Sequence, residues 1–173
     1  SIMLEEIGMD YAVHAIDLAR GDQKTPEFLA MNPNGRIPVI VDRGNDDFAV
    51  FESGAILIYL AEKSGQLLPR EEKARSRVIQ WLMFQMGGFG PMPGQVHHFL
   101  TVKDPQDQRY GLERYSKETH RLYGVMDRRL AMHEHFAGAL SIADFAILGW
   151  VWRHERHQVD LADFPHVQRW YRA

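Results

Sequence analysis

Residues 32–53 read NPNGRIPVIVDRGNDDFAVFES, and this stretch decides the fold of the first part of the chain. A proline is tolerated at the first position of a strand, and Pro38 stands directly before a β-branched run. Gly, Asn and Asp clusters bound two short apolar runs, and a helix-forming sequence follows them. The stretch therefore predicts a turn, a strand, a second turn, a second strand and a helix start, at residues 32–35, 39–41, 42–46, 48–51 and 53–62.

Two features of this stretch predict a binding site for a peptide. If the Ile37-Pro38 bond is cis, the backbone N–H and C=O of Ile37 face outward and can pair with an extended peptide. Ser53 is the predicted N-cap of the helix, where free N–H groups favour a carboxylate, and the carboxylate of Glu52 can hold an ammonium. Each feature alone is also explained by an ordinary turn or helix cap, but together they suit a small zwitterionic peptide.

The combination of NPNGRIPVIVD with FAVFESGAILIYLAEKSG closely resembles the glutathione transferase family and its thioredoxin-like domain. The resemblance implies that the residue before a cis-proline pairs with the cysteinyl part of glutathione. It also implies that a Glu-Ser pair holds the γ-glutamyl end. Ile37, Pro38, Glu52 and Ser53 are the matching positions, and the resemblance extends over nearly the whole chain.

The pattern of elements changes near Pro69. Strand patterns alternate with helical ones before it, and only helical patterns follow it. We therefore predict an α/β thioredoxin-like domain at residues 1–66, a linker at 67–72 and an all-α domain at 73–173.

Composition excludes several classes of function. Charged residues make up 25% of the chain and the net charge is −3, without the basic block that a nucleic-acid partner needs. No apolar run approaches the ~20 residues that cross a bilayer. The sequence has no cysteine, which excludes disulfides, thiolate metal sites and a cysteine nucleophile within these residues. Cytoplasm is the default compartment.

The beginning of the chain predicts a helix over residues 1–8 and then a strand over 11–18, from the alternation of their side chains. In the resembled family a first strand and a loop with the catalytic group precede this helix. We therefore expect the thioredoxin-like domain to lack its first strand here, and the catalytic residue is unknown, because the expected Thr/Asn loop would lie upstream of Ser1.

A glycine- and proline-rich stretch, MGGFGPMPG at residues 86–94, interrupts the helical pattern of the second domain. It predicts either a kinked or opened helix that lines an apolar pocket, or a plain loop between two helices. The surrounding WLMFQMGGFGPMPGQVHHF and the YGLERY segment at 110–115 resemble the bacterial Nu-class glutathione transferases and the related Ure2-like proteins. This resemblance adds Gln23, Arg36 and Arg114 to the predicted glutathione-binding residues, although Arg36 stands where a lysine is expected.

The histidines do not predict a metal site. His97 and His98 are adjacent, so on a helix they point about 100° apart. His154 and His157 lie in WRHERHQ, which we interpret as a solvated charged face, and no acidic ligands are spaced to complete a site.

The predicted function is reduction of disulfide bonds with glutathione, reduced or as its disulfide, as the cosubstrate, without metal. Two alternatives stay open: conjugation of glutathione to small electrophiles, and non-catalytic binding of glutathione by a regulatory protein. The resemblance also implies a homodimer. The sequence does not identify the second substrate.

Overall fold

The apolar residues after Pro38 form two antiparallel strands in the computed structural model, which describes residues 1–173. Strand β1 is Val39–Asp42 and strand β2 is Phe48–Phe51. Val39 lies opposite Phe51, and Asp42 lies opposite Phe48. The predicted strand, turn and strand are confirmed.

The chain divides into two units, Ser1–Leu68 and Pro69–Ala173. Unit 1 holds the two strands and three helices. The helices are α1, Ile2–Glu6; α2, Pro26–Met31; and α3, Ser53–Ser64. Local chemistry sets their ends: Thr25 Oγ1 accepts a hydrogen bond from the Phe28 N–H at 3.3 Å, and Gly65 ends α3 at φ +71°.

The strand predicted over residues 11–18 is wrong. The sheet of unit 1 has only β1 and β2, and the residues after α1 form no ladder with either strand. Alternation of side chains makes an extended conformation favourable, but a strand also requires a neighbour for its backbone hydrogen bonds. Val13, with 76% of its surface exposed, shows that this alternation does not create a buried face here.

Unit 2 is helical throughout, without a strand. Its five α-helices are α4, Glu72–Phe84; α5, Pro91–Phe99; α6, Pro105–Leu130; α7, Ile142–Val151; and α8, Pro165–Arg172. Two 3-10 turns, His154–His157 and Leu161–Asp163, connect α7 to α8. No helix in the chain is both long enough and apolar enough to span a membrane.

The glycine-rich segment neither opens into a loop nor breaks the helix. Gln85–Phe89 forms a π-helical turn directly after α4, closed by a hydrogen bond from the Gly90 N–H to the Gln85 carbonyl at 2.8 Å. A side chain at position 90 would collide with the surroundings, because a Cβ there would lie 2.6 Å from Gln85 Nε2 and 2.8 Å from Trp150 Nε1. Glycine thus permits a close approach inside the helix.

The start of α7 is held by a capping box of Ser141 and Asp144. Asp144 Oδ2 accepts hydrogen bonds from the backbone N–H and the hydroxyl of Ser141, both at 3.0 Å. The other carboxylate oxygen accepts from Trp170 Nε1 at 3.0 Å and from the Phe136 N–H at 3.3 Å. Asp144 is 3% exposed, so these donors replace the water that the buried carboxylate loses. The motif therefore fixes the start of α7 and ties it to α8 through Trp170.

One part of the interpretation of WRHERHQ is wrong, because His157 is fully buried. Its Nε2 lies 2.8 Å from the hydroxyl of Tyr123, and its Nδ1 lies 3.2 Å from Nε2 of His97. The 3-10 geometry explains the difference, since residues three apart lie on one side of such a turn and both His154 and His157 then face inward. A chain of three polar groups therefore joins α5, α6 and this turn.

The buried histidine predicts that stability falls in acid. Burial, reinforced by the neighbouring His97, His154 and His120, lowers the pKa of His157 to about 3, whereas an unfolded histidine titrates at about 6.5. Between about pH 6.5 and about pH 3, His157 takes up a proton in the unfolded chain but stays neutral in the folded protein. We expect the free energy of unfolding to fall by about 2 kcal/mol between pH 7 and pH 5, measured by urea titration.

Two variants distinguish the contribution of His157 to this loss of stability from the contributions of other titrating groups. His157→Gln should flatten the pH dependence, whereas His98→Gln, which replaces an exposed histidine on α5, serves as the control and should leave it unchanged. An identical slope in His157→Gln and the parent protein would contradict the assignment.

Close packing between α5 and α6 predicts a second effect on stability. A Cβ on Gly111 would lie 2.2 Å from Cε1 of Phe99. Gly111→Ala should therefore lower the free energy of unfolding by about 1–3 kcal/mol through overpacking. Gly149 has open space at its Cβ position and lies within α7. Gly149→Ala should instead raise stability by up to about 1 kcal/mol through helix propensity. Equal effects of the two substitutions would contradict this account.

Candidate functional site

A buried asparagine fixes the turn that leads to the candidate site. Asn32 is 1% exposed. Its side-chain oxygen accepts a hydrogen bond from the Asn34 N–H at 3.0 Å, and its side-chain nitrogen donates to the carbonyl of Arg36. The Gly35 N–H donates to the Asn32 carbonyl at 2.9 Å. These bonds hold the backbone on both sides of the turn, so the position of the next residue, Ile37, is defined by the fold.

Ile37 presents a free backbone edge. The Ile37-Pro38 peptide bond is cis, and neither the N–H nor the C=O of Ile37 makes a hydrogen bond within the chain. The side chain is 50% exposed. An extended peptide laid along this edge can satisfy both groups as an added strand would.

Glu52 lies at the junction of β2 and α3 in an unusual backbone conformation, with φ +68° and ψ 120°. Its carbonyl accepts the first helical hydrogen bond, from the Ile56 N–H at 2.9 Å. Glu52 is therefore the N-cap and Ser53 is the first helical residue, so the prediction of Ser53 as N-cap is wrong by one position. A positive φ is costly for a residue other than glycine and is concentrated at functional sites.

The side chain of Glu52 contacts the turn before β1. Asn34 Nδ2 donates a hydrogen bond to Glu52 Oε1 at 3.3 Å. The second carboxylate oxygen is left for another donor, such as an ammonium. The sequence predicted Glu52 for this site but missed Asn34. An asparagine in the turn directly after Pro33 could have been considered as a hydrogen-bond donor to the site.

The loop before α2 lies close to the same turn. Asp22–Lys24 forms one 3-10 turn. Gly35 has φ +61°, and a Cβ there would lie 3.1 Å from the Gln23 carbonyl and 2.7 Å from Nζ of Lys24. The side-chain oxygen Oε1 of Gln23 is buried without a hydrogen-bond partner. The fold thus brings the segment of Gln23 to the turn that precedes Ile37, and it brings Lys24, which the sequence did not single out.

The two predicted arginines are both exposed. Arg36 lies between Gly35 and Ile37 in the sequence and is therefore next to the free edge. Arg114 lies in unit 2 on α6, one helical turn before Glu118, and its charge contributes to the lowered pKa of that carboxyl, after Arg121. A role of Arg114 toward glutathione stays a prediction.

A cavity of about 1130 Å³ opens in unit 1 on one side of β1. It reaches Ile37 and Pro38, but none of Gln23, Glu52 and Ser53 lines it. Its walls are mainly apolar, from Leu4, Met9, Ile16, Phe28, Met31, Val39 and Leu60 among others.

The polar end of this cavity is an ion pair on β1 and α3. The Tyr59 hydroxyl donates to Asp42 Oδ2 at 2.6 Å, and Lys63 Nζ donates to the same oxygen. The bonds from Lys63 and then from Tyr59 lower the pKa of Asp42. This pair joins β1 to α3, so its role is structural and separate from the edge at Ile37.

Metal chemistry has no candidate centre here, because no three His, Cys, Asp or Glu side chains lie together as possible ligands. The chain also has no thiol. What unit 1 offers is a peptide-pairing edge at Ile37 with an acceptor, Glu52, at one side and the first turn of a helix beside it. That arrangement has the donors and acceptors that an extended peptide ligand requires.

Comparison with known proteins agrees with this geometry. The glutathione S-transferase N-terminal domain model matches residues 1–62, and the C-terminal domain model matches residues 90–173. The disulfide-bond oxidoreductase YfcG of Escherichia coli K12 is 46% identical over 176 residues, covering 99% of this chain and 81% of that protein. The predicted fold class, a thioredoxin-like domain followed by an all-helical domain, is confirmed.

Two solved structures extend the comparison. A glutathione transferase from Burkholderia graminis, with two glutathione molecules bound per subunit, is 43% identical with a TM-score of 0.89, covering 99% of this chain and 75% of that one. A glutathione transferase from Pseudomonas putida, with one glutathione disulfide bound per subunit, is 43% identical with a TM-score of 0.90, covering 99% and 78%. The chain therefore belongs to the glutathione transferase superfamily, in the Nu-class branch that its sequence predicted.

Proposed function

We propose that this protein binds glutathione along the free edge of Ile37 and uses it to reduce disulfide bonds. The observation that carries the proposal is the unpaired backbone of Ile37 beside Glu52 and α3. A relative of known activity, YfcG, is a disulfide-bond oxidoreductase, and the two related structures contain glutathione or its disulfide.

The cysteinyl backbone and the two charged groups of the γ-glutamyl end each have a partner in the proposed site. The cysteinyl backbone pairs with the N–H and C=O of Ile37, next to Pro38. The γ-glutamyl ammonium binds the free oxygen of the Glu52 carboxylate. The γ-glutamyl carboxylate binds the Ser53 hydroxyl and the first-turn N–H groups of α3, where the helix dipole favours an anion. Gln23, Arg36 and Arg114 complete the proposed set of glutathione-binding residues.

The reaction is thiol–disulfide exchange. A glutathione thiolate attacks one sulfur of the substrate disulfide, forms a mixed disulfide and releases the other sulfur as a thiol. A second glutathione attacks the mixed disulfide, giving glutathione disulfide and the second substrate thiol. Two electrons pass from two glutathione thiols to the substrate. No cysteine within these 173 residues can supply a sulfur, and in the proposed reaction both attacking sulfurs come from glutathione.

We propose a cytoplasmic homodimer as the setting for this chemistry. Reduced glutathione is the abundant thiol of that compartment. Exposed apolar side chains offer surface for a subunit contact, among them Met83, Tyr110 and Trp152.

The test compares two assays on the full-length product of the gene that encodes this chain. One supplies glutathione with a small model disulfide and measures thiol release, and the other supplies glutathione with an aryl halide. The proposal predicts rapid disulfide reduction with little conjugation. Conjugation alone would identify an ordinary conjugating transferase. Glutathione binding without either reaction would identify a non-catalytic binder, and both results would overturn the proposal.

Ser53→Ala tests the γ-glutamyl contact. We expect glutathione affinity, measured by calorimetry, to fall by about 1–3 kcal/mol, because a hydrogen bond to a charged group is lost. Ser64→Ala, at the other end of α3, is the matched control and should leave affinity unchanged. Unchanged affinity in Ser53→Ala would show that the γ-glutamyl end lies elsewhere.

The side chain of Glu52 should strengthen glutathione binding, while its positive φ should lower the folding stability of the protein. Glu52→Gly and Glu52→Ala both remove the carboxylate, so both should weaken glutathione binding. Only glycine also relieves the positive φ, so Glu52→Gly should be more stable than Glu52→Ala by about 1–2 kcal/mol in urea titration.

Glycine and alanine substitutions at Glu27, which has ordinary helical geometry, control for the intrinsic difference in stability between the two residue types. At Glu27, in the first turn of α2, the order should reverse, with alanine the more stable. Equal stability of Glu52→Gly and Glu52→Ala would contradict a strained backbone at Glu52.

A further inference from the structure

The carboxylate of Glu52 has one partner within the chain, and that partner is uncharged. Asn34 Nδ2 donates to Glu52 Oε1 at 3.3 Å, which links the turn before β1 to the junction of β2 and α3. No lysine, arginine or histidine pairs with this carboxylate, although the protein uses such pairs elsewhere, as between Lys63 and Asp42. The charge of Glu52 is therefore not neutralised by the protein.

The backbone around Asn34 is held in place by a buried neighbour. Asn32 is 1% exposed, and its side-chain oxygen accepts a hydrogen bond from the Asn34 N–H at 3.0 Å. The next amide along the chain, the Gly35 N–H, donates to the Asn32 carbonyl at 2.9 Å. Because both of these amides are tied to one buried residue, the exposed side chain of Asn34 starts from a defined point and reaches Glu52.

A neutral donor suits a carboxylate that has to receive a ligand ammonium. A side-chain amide has two N–H donors and no net charge, so it can orient one carboxylate oxygen and leave the negative charge intact. A lysine or arginine in the same place would offset that charge and repel an incoming ammonium. The surroundings add to the attraction, because residues 1–68 contain eleven Asp and Glu against five Lys and Arg.

The direction of the carboxylate matters because a glutamate side chain has several rotatable bonds. Without a partner in the protein, the side chain would sample many conformations, and ligand binding would have to restrict them at a cost in entropy. The hydrogen bond from Asn34 occupies Oε1 and leaves Oε2 for the ligand. We infer that Asn34 is a positioning residue, whose amide holds the Glu52 carboxylate ready for the γ-glutamyl ammonium of glutathione; the inference rests on the proposed function.

The test measures binding of two probes by calorimetry, with the full-length gene product. The probes are glutathione and an analogue in which hydrogen replaces the γ-glutamyl amino group. Asn34→Ala should weaken glutathione binding about three- to tenfold, because the carboxylate loses its hydrogen bond, and should leave binding of the analogue unchanged. In a Glu52→Ala background, where the carboxylate is absent, Asn34→Ala should change neither affinity.

Asn45→Ala is the matched control for this substitution. Asn45 is also an exposed asparagine in a turn, and its side-chain amide likewise makes one hydrogen bond, to the Tyr59 hydroxyl at 3.2 Å. Because that hydrogen bond does not involve Glu52, Asn45→Ala should leave the binding of both probes unchanged.

The two proposals fail in different ways. If the parent protein does not bind glutathione, the proposed function is overturned together with the inference. If the parent binds glutathione but Asn34→Ala binds it equally well, or weakens both probes equally, only the role of Asn34 is overturned. The same follows if Asn34→Ala weakens glutathione binding as much in the Glu52→Ala background as in the parent protein.

Discussion

The free backbone edge of Ile37 is the feature on which the candidate site depends. Peptide N–H and C=O groups are paired in almost all folded structure, so an unpaired edge beside a sheet needs either water or a ligand. Here Asn32 holds the turn on one side of the edge, and the ladder from Val39 to Phe51 holds the other. Because these bonds hold the edge on both sides, a ligand that pairs with it meets a preformed partner, which lowers the entropy cost of binding.

The absence of cysteine sets the chemistry that such an edge can support. A protein that reduces disulfides needs a thiol, and this chain can only position one that a ligand carries. Glu52 takes a strained φ of +68° directly beside the edge, and the fold maintains it through the helical bond from Ile56 and the contact with Asn34. Strain at this junction is consistent with selection for ligand position over local stability.

Much of this was accessible from sequence, since Pro38 before a β-branched run, Gly65 after α3 and the capping box of Asp144 each act through local rules. The rest depended on tertiary context. Alternation over residues 11–18 could not reveal that no neighbouring strand pairs with them. The charged sequence around His157 concealed a buried ring, because 3-10 geometry turned it inward. Lys24 reached the site only through the missing side chain of Gly35, which no local pattern records.

Hydrogen exchange at single amides, with and without glutathione, tests the central claim most directly. The Ile37 amide has no partner in the chain, so it should exchange rapidly in the free protein and slow markedly when glutathione is added to the full-length gene product. Slower exchange at the start of α3 should accompany it. Saturating glutathione with no change at Ile37 would contradict a site built on this edge.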